Sequence, residues 1–202
     1  MKFDIQPLYA TPVYTELLDL TSNLDLIQDE IDLGVTTTSF NLSGNHKFSE
    51  LGHGINSEGF NGDWLKDKGC VSTIKALSDA IERYCEFIGF QNTLLYERTS
   101  WINSYKKGNY AHIHTHSPAE ISGNYYYKAE KDSGSIFFET PIREAACSDV
   151  WVQLSNRFAI PPQPGLLVMF PGWLSHGVST NITDNERISI AFNIKFKYKK
   201  NN

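Results

Sequence analysis

Long apolar runs are missing from this chain: none approaches the roughly 20 residues that a membrane-spanning helix needs, so no membrane partner is expected. A basic excess is missing too. Eighteen Lys and Arg stand against 23 Asp and Glu, for a net charge of −5, and nucleic-acid binding would need a basic stripe. Cysteine is scarce, with only Cys70, Cys85 and Cys147, widely spaced and odd in number. That pattern excludes a disulfide framework and a CxxC zinc site, and reads as buried or free thiols. Internal repeats and low-complexity tracts are absent. The opening Met1-Lys2-Phe3-Asp4 carries an early acid and no apolar core of signal-peptide type, which points to a cytoplasmic protein.

What is present is a core-forming chain of 202 residues, 41% hydrophobic, a length that suits one domain. Residues 5–14 contain Pro7 and Pro12 and make at best an edge strand. Thr21 or Ser22 can cap a helix with Leu24, Ile27 and Ile31 on one side. Residues 41–69 are rich in glycine and read as a long ordered loop with short pieces of structure. Ile74, Leu77, Ile81, Tyr84, Cys85 and Ile88 follow the i, i+3, i+4 spacing of an amphipathic helix over 72–88, with Ser72 as cap and Gly89 as stop.

Beyond Gly89 the period changes from 3.6 to 2. Segments 93–105, 110–116, 121–128, 134–139, 150–160, 165–170 and 186–198 read as strands separated by Gly, Pro and Asn turns. Helices followed by many short strands predict a mainly β fold, a sandwich or jelly roll with the N-terminal helices packed on one sheet. In the last strand, Ile188, Ile190, Phe192, Ile194 and Phe196 share one face, which the 72–88 helix can cover. The opposite face carries Arg187, Ser189, Ala191 and Asn193. A buried cation needs a partner, and a bound dicarboxylate would supply one.

Six histidines are present. His46 and His53 sit in the glycine-rich loop without ligand spacing. His112, His114 and His116 alternate, so they share a face if 110–116 is extended. Two of them can reach one metal, and His176, after strand 165–170 and a Pro-Gly turn, can supply a third nitrogen. Two plus one on neighbouring strands make a facial triad, which leaves three positions of an octahedral iron open. Arg187, eleven residues after His176, can grip a carboxylate.

The ordered set His114-Thr115-His116, Ile121-Ser122-Gly123-Asn124-Tyr125-Tyr126, Ser133-Gly134-Ser135-Ile136-Phe137-Phe138-Glu139, Pro164 to Val178 and Glu186 to Asn193 resembles the 2-oxoglutarate/Fe(II)-dependent dioxygenases. The resemblance is to the prolyl-hydroxylase-like branch, including its phage and marine bacterial members, and covers roughly residues 93–197. It implies a double-stranded β-helix (jelly roll) over 93–198, supported by helices and a loop in 1–92, as one domain. It implies a hydroxylase that uses Fe(II) and 2-oxoglutarate. His114 would be the first iron ligand and His176 the distal one. Arg187 would pair with the far carboxylate of 2-oxoglutarate, with Ser189 and Tyr126 as further donors.

One position departs from the family pattern. Its usual Asp or Glu, two residues after the first histidine, is here His116, which is favoured as the third ligand. Three arrangements stay open beside it: His112 with His114 as the pair, His114 and His176 alone with a water or halide, or a carboxylate from Glu120 or Glu139. A cupin-type three-histidine enzyme without 2-oxoglutarate and a non-catalytic jelly-roll module are the rival functions. The substrate is expected to be a small molecule or a peptide. Trp101 and Trp173 are candidates for its mouth, and the exposed strands of an open jelly roll suit a homodimer.

Overall fold

The computed structural model describes residues 10–20, 62–90, 95–142, 144, 147, 149–150 and 157–197. Within them the chain forms β1 (Tyr14–Leu17), α1 (Trp64–Asp67), α2 (Val71–Phe87), β2 (Leu95–Tyr105), β3 (Ala111–His114), β4 (Ile121–Lys128), β5 (Ile136–Phe138), β6 (Phe158–Ile160), β7 (Leu166–Pro171), β8 (His176–Val178) and β9 (Arg187–Lys197). One sheet has the order β1-β7-β4-β9-β2 and the other β3-β8-β5-β6. These strands all pair antiparallel. From β2 onward the chain winds back and forth between the two sheets, as a jelly roll does.

Alternation along β9 decides what each face of the larger sheet does. Ile188, Ile190, Phe192, Ile194 and Phe196 join Leu77, Ala80, Ile81, Tyr84 and Cys85 of α2 in one buried cluster. The helix therefore covers this sheet as its spacing predicts, and each large side chain buried there contributes roughly 1.5–3 kcal/mol. A smaller cluster, Tyr126, Ile136, Phe138, Leu166, Val168, Phe170 and Leu174, lies between the sheets. Among the described residues, no helix is long and apolar enough to cross a membrane.

Gly123 belongs to the helix-facing side of β4. A Cβ there would lie 2.2 Å from the Phe192 ring tip, and Phe192 is fully buried. Gly123→Ala is therefore expected to destabilise the protein by about 1–3 kcal/mol, the usual cost of overpacking. A lower urea midpoint at an unchanged m-value would show it; an unshifted midpoint would contradict the packing described.

Several boundaries differ from the sequence reading. Helix α2 begins at Val71 with Cys70 at its N-cap, so Ser72 is not the cap. The turn closing α1 (Gly69 N to Lys66 O, Cys70 N to Leu65 O) hands directly into α2, which leaves no room for a serine cap. Gly89 does end the helix. Strand β3 stops at His114, because the His116 N–H bonds the Gly172 carbonyl and the chain turns at Ser117–Pro118. β8, three residues long, is too short for a period to reveal. The expected 150–160 strand is a strand only at 158–160 among its described residues, and β1 lies at a sheet edge but over 14–17. The helix expected after Thr21 and most of the 41–69 loop, with His46 and His53, lie outside the described residues. α1 is one of that loop's short pieces, pinned to β2 by Arg98 and Ser100 on the Asp63 carboxylate.

Candidate metal centre and adjoining cavity

His114 closes β3 and His176 opens β8, and the two are direct cross-strand partners. Their ring centroids lie 4.4 Å apart. The bond from His116 N to Gly172 O folds the next residues back, and the His116 ring comes to 4.9 Å from His114 and 5.0 Å from His176. One ring nitrogen from each of the three lies within 4.8 Å of the others. The geometry that brings His116 in is thus a turn rather than continued alternation along β3.

Two of the rings are fixed by the backbone. His114 Nδ1 donates to the His112 carbonyl at 2.7 Å, and His176 Nδ1 to the Leu174 carbonyl at 2.8 Å. A proton held at Nδ1 leaves the Nε2 lone pair free, which is the tautomer a metal takes. Phe170 packs against the His176 ring at 4.5 Å and keeps water from it.

Burial lowers the pKa of His114 from the ordinary 6.5, and burial followed by the charges of His114 and His116 pushes His176 well below it. Unfolding returns both to the ordinary value, so below about pH 6.5 the unfolded chain binds more protons than the folded one. Stability from this source is complete above that pH and is lost as pH falls toward the folded values. The melting temperature of the metal-free protein is expected to fall between pH 7 and pH 5, and to fall less in His176→Gln. Identical curves for the two proteins would contradict this.

The three rings border a cavity of about 590 Å³, a size that accepts small ligands. Its floor is the inner face of the larger sheet: Tyr105, Asn103, Trp101 and Thr99 of β2, Arg187, Ser189, Ala191 and Asn193 of β9, and Ser122, Asn124 and Tyr126 of β4. Arg187 is only 2% exposed. Its guanidinium stacks on the Tyr105 ring at 4.0 Å and lies 5.8 Å from the Tyr126 ring, and one Nη donates to the Gly134 carbonyl at 2.6 Å. Gly134 has φ +104, and a Cβ there would meet Ser179 O at 2.5 Å, so glycine is what lets this carbonyl reach the cation. Burial pushes the Tyr105 and Tyr126 phenols up from 10, with the Arg187 charge opposing it. Both remain protonated donors at neutral pH.

The Arg187 Nε–H is buried and has no hydrogen-bond partner, and among the described lining residues the only acid is Glu97. A buried cation with a free donor is costly unless an anion completes it. Three imidazole donors suit Fe(II), and an unfinished guanidinium fork suits a carboxylate. The residues present therefore fit a metal chelated by a dicarboxylate.

Of the sequence candidates, the structure brings together His114, His116, His176, Arg187, Ser189 and Tyr126 around one cavity. His112 is exposed and packs on Tyr110. Glu120 accepts the Phe196 N–H, and Glu139 pairs with Arg157; neither joins the histidine group. Trp101 lines the cavity, whereas Trp173 is exposed and does not. Sequence reasoning missed Tyr105, Asn103 and Asn124. For Tyr105 and Asn103 the signal was weak because β2 is polar on both faces, so its alternation did not say which one is inward.

Residues 99–193 match the model of the family described as "Putative 2OG-Fe(II) oxygenase". Over this segment, a little under half of the chain, it is similar to the 2OG-Fe(II) oxygenases, a family named for Fe(II) and 2-oxoglutarate. Among solved structures it is similar to a prolyl-4-hydroxylase from Pseudomonas putida, with 14% identity, 95% of this chain and 96% of that chain covered, and TM-score 0.57. It is also similar to a prolyl hydroxylase from Trichoplax adhaerens solved with a hypoxia inducible factor peptide fragment, with 14% identity, coverage of 93% and 84%, and TM-score 0.56. At this identity both likenesses show the fold. An oxidoreductase of the 2OG-Fe(II) oxygenase family from Burkholderia pseudomallei matches at 19% identity over 56% of this chain, with TM-score 0.44, and the chain spans about half of that protein's length, 52%. No curated protein sequence matches the chain.

Proposed function

We propose that residues 1–202 form one oxygenase domain that hydroxylates an unactivated C–H bond of a small-molecule or peptidyl substrate. The observation that carries this reading is one cavity lined by three converging imidazoles and by a buried guanidinium with an unpartnered Nε–H. His114, His116 and His176 would hold Fe(II). Arg187 would take the far carboxylate of 2-oxoglutarate, with the Ser189 hydroxyl and the Tyr126 phenol as further donors and Tyr105 as the stacking wall.

When bound, iron and 2-oxoglutarate supply the activation of oxygen, with 2-oxoglutarate converted to succinate and CO2. The chain's own residues position and insulate. The backbone carbonyls of His112 and Leu174 keep Nε2 of their rings available to the metal. Trp101 and Phe170, each at most 4% exposed, exclude water beside it. The outer end of the cavity offers Glu97, Thr99, Asn193 and Lys195, a polar wall for a polar substrate. The Trichoplax enzyme holds a peptide fragment, which supports the peptidyl option. Three unpaired thiols among the described residues suit a reducing cytosol.

The test loads the protein anaerobically with Fe(II) and 2-oxoglutarate, admits oxygen and measures succinate. Release is expected, with or without a substrate from a broad panel. N-Oxalylglycine with Mn(II) should also raise the melting temperature, since a ligand of the folded state stabilises it. No succinate and no thermal shift would count against the reading.

A further inference from the structure

His116 differs from its two neighbours in what faces its Nδ1. For His114 and His176 that partner is a backbone carbonyl, which can only accept. For His116 it is the side-chain amide of Asn193, whose Nδ2 lies 3.4 Å from Nδ1. Asn193 is held in turn by Ser122, whose hydroxyl donates to the amide oxygen at 2.7 Å. The two are cross-strand partners in β4 and β9, and Ser122 is 1% exposed.

A carboxylate at position 116 would have no tautomer to set, but an imidazole does. With Nδ2 donating to Nδ1, the proton of the neutral ring sits on Nε2 and blocks it as a metal donor. Turning the amide by half a rotation places Oδ1 against the ring. Oδ1 then accepts from Nδ1–H, and Nδ2 donates to the Ser122 oxygen, which accepts as readily as it donates. Each group keeps a bond and the backbone stays in place.

We infer that Asn193, braced by Ser122, is the positioning residue of His116: with its amide oxygen toward the ring it holds the Nδ1–H tautomer that presents Nε2 to the metal. This rests on the three-histidine centre proposed above. One strand then carries both devices, with Arg187 facing the organic cofactor and Asn193, six residues on, facing the third imidazole.

The test measures Co(II) affinity and the visible Co(II) spectrum of the full chain, with the metal-free melting temperature as the fold check. Asn193→Leu is expected to weaken Co(II) binding about 10–100-fold and to change the spectrum, the usual reach of a residue that orients a ligand. Asn193→Asp, which can only accept, is expected to bind within about threefold of the natural protein or tighter. The metal-free melting temperatures of the two variants should agree. Ser122→Ala should weaken binding by less than Asn193→Leu, and it carries the comparison with Asn193→Asp should Asn193→Leu not fold.

Unchanged affinity and spectrum in Asn193→Leu, unchanged affinity in Ser122→Ala, or an Asn193→Asp as weak as the leucine variant, would overturn the inference. His114→Ala separates the two levels. If the natural protein binds Co(II) and His114→Ala does not, a normal Asn193→Leu defeats this inference alone. If the natural protein binds none, or His114→Ala binds normally, the metal centre falls and this inference with it.

Discussion

Arg187→Gln is expected to raise the 2-oxoglutarate concentration required for half-maximal succinate release by roughly 30-fold to several thousandfold. Truncating one partner of a buried, hydrogen-bonded charge pair costs about 2–5 kcal/mol, and each 1.4 kcal/mol is about tenfold. The position meets those conditions: it is 2% exposed, braced by Tyr105 and the Gly134 carbonyl, and has a donor left over. Metal affinity should stay within about threefold, since the substitution leaves all three imidazoles in place. Arg187→Lys should recover only part of the loss, because a point charge lacks the planar fork. An unchanged 2-oxoglutarate requirement, read by succinate yield or by the thermal shift with N-oxalylglycine, would favour the cupin-type alternative.

His176→Ala is expected to weaken Fe(II) or Co(II) binding by more than the roughly 10–100-fold that follows loss of an outer partner, and to abolish succinate release. Its ring is 4% exposed, directly paired across the sheet with His114, and fixed by the Leu174 carbonyl. His112→Ala is the control. That ring is exposed and packs on Tyr110, while the backbone carbonyl that orients His114 survives the substitution. Equal metal affinity in the two variants would contradict the assignment.

Much of this arrangement was legible in the residue pattern because one strand carried it. The split of β9 into an apolar face and an Arg-Ser-Ala-Asn face anticipated both the helix-covered core and the cavity floor. His114 and His176 were readable from their places beside strand ends. His116 was reached by the wrong route. Strand alternation predicted it, but β3 ends at His114, and a turn stitched by the Gly172 carbonyl brings the ring back. Tyr105 was not readable, because its role depends on lying directly across from Arg187 in the β2–β9 register. Nothing in the residue pattern of β2 specifies that partner. β8 escaped for the opposite reason, since its three residues owe their pairing to β3 and β5 rather than to any period of their own.

The most direct test is a crystal structure of the protein loaded anaerobically with Mn(II) and N-oxalylglycine. The account predicts one anomalous peak within coordination distance of a nitrogen from His114, His116 and His176, with the inhibitor's distal carboxylate on the Arg187 guanidinium. A metal bound elsewhere, or an inhibitor that leaves Arg187 unpaired, would contradict it.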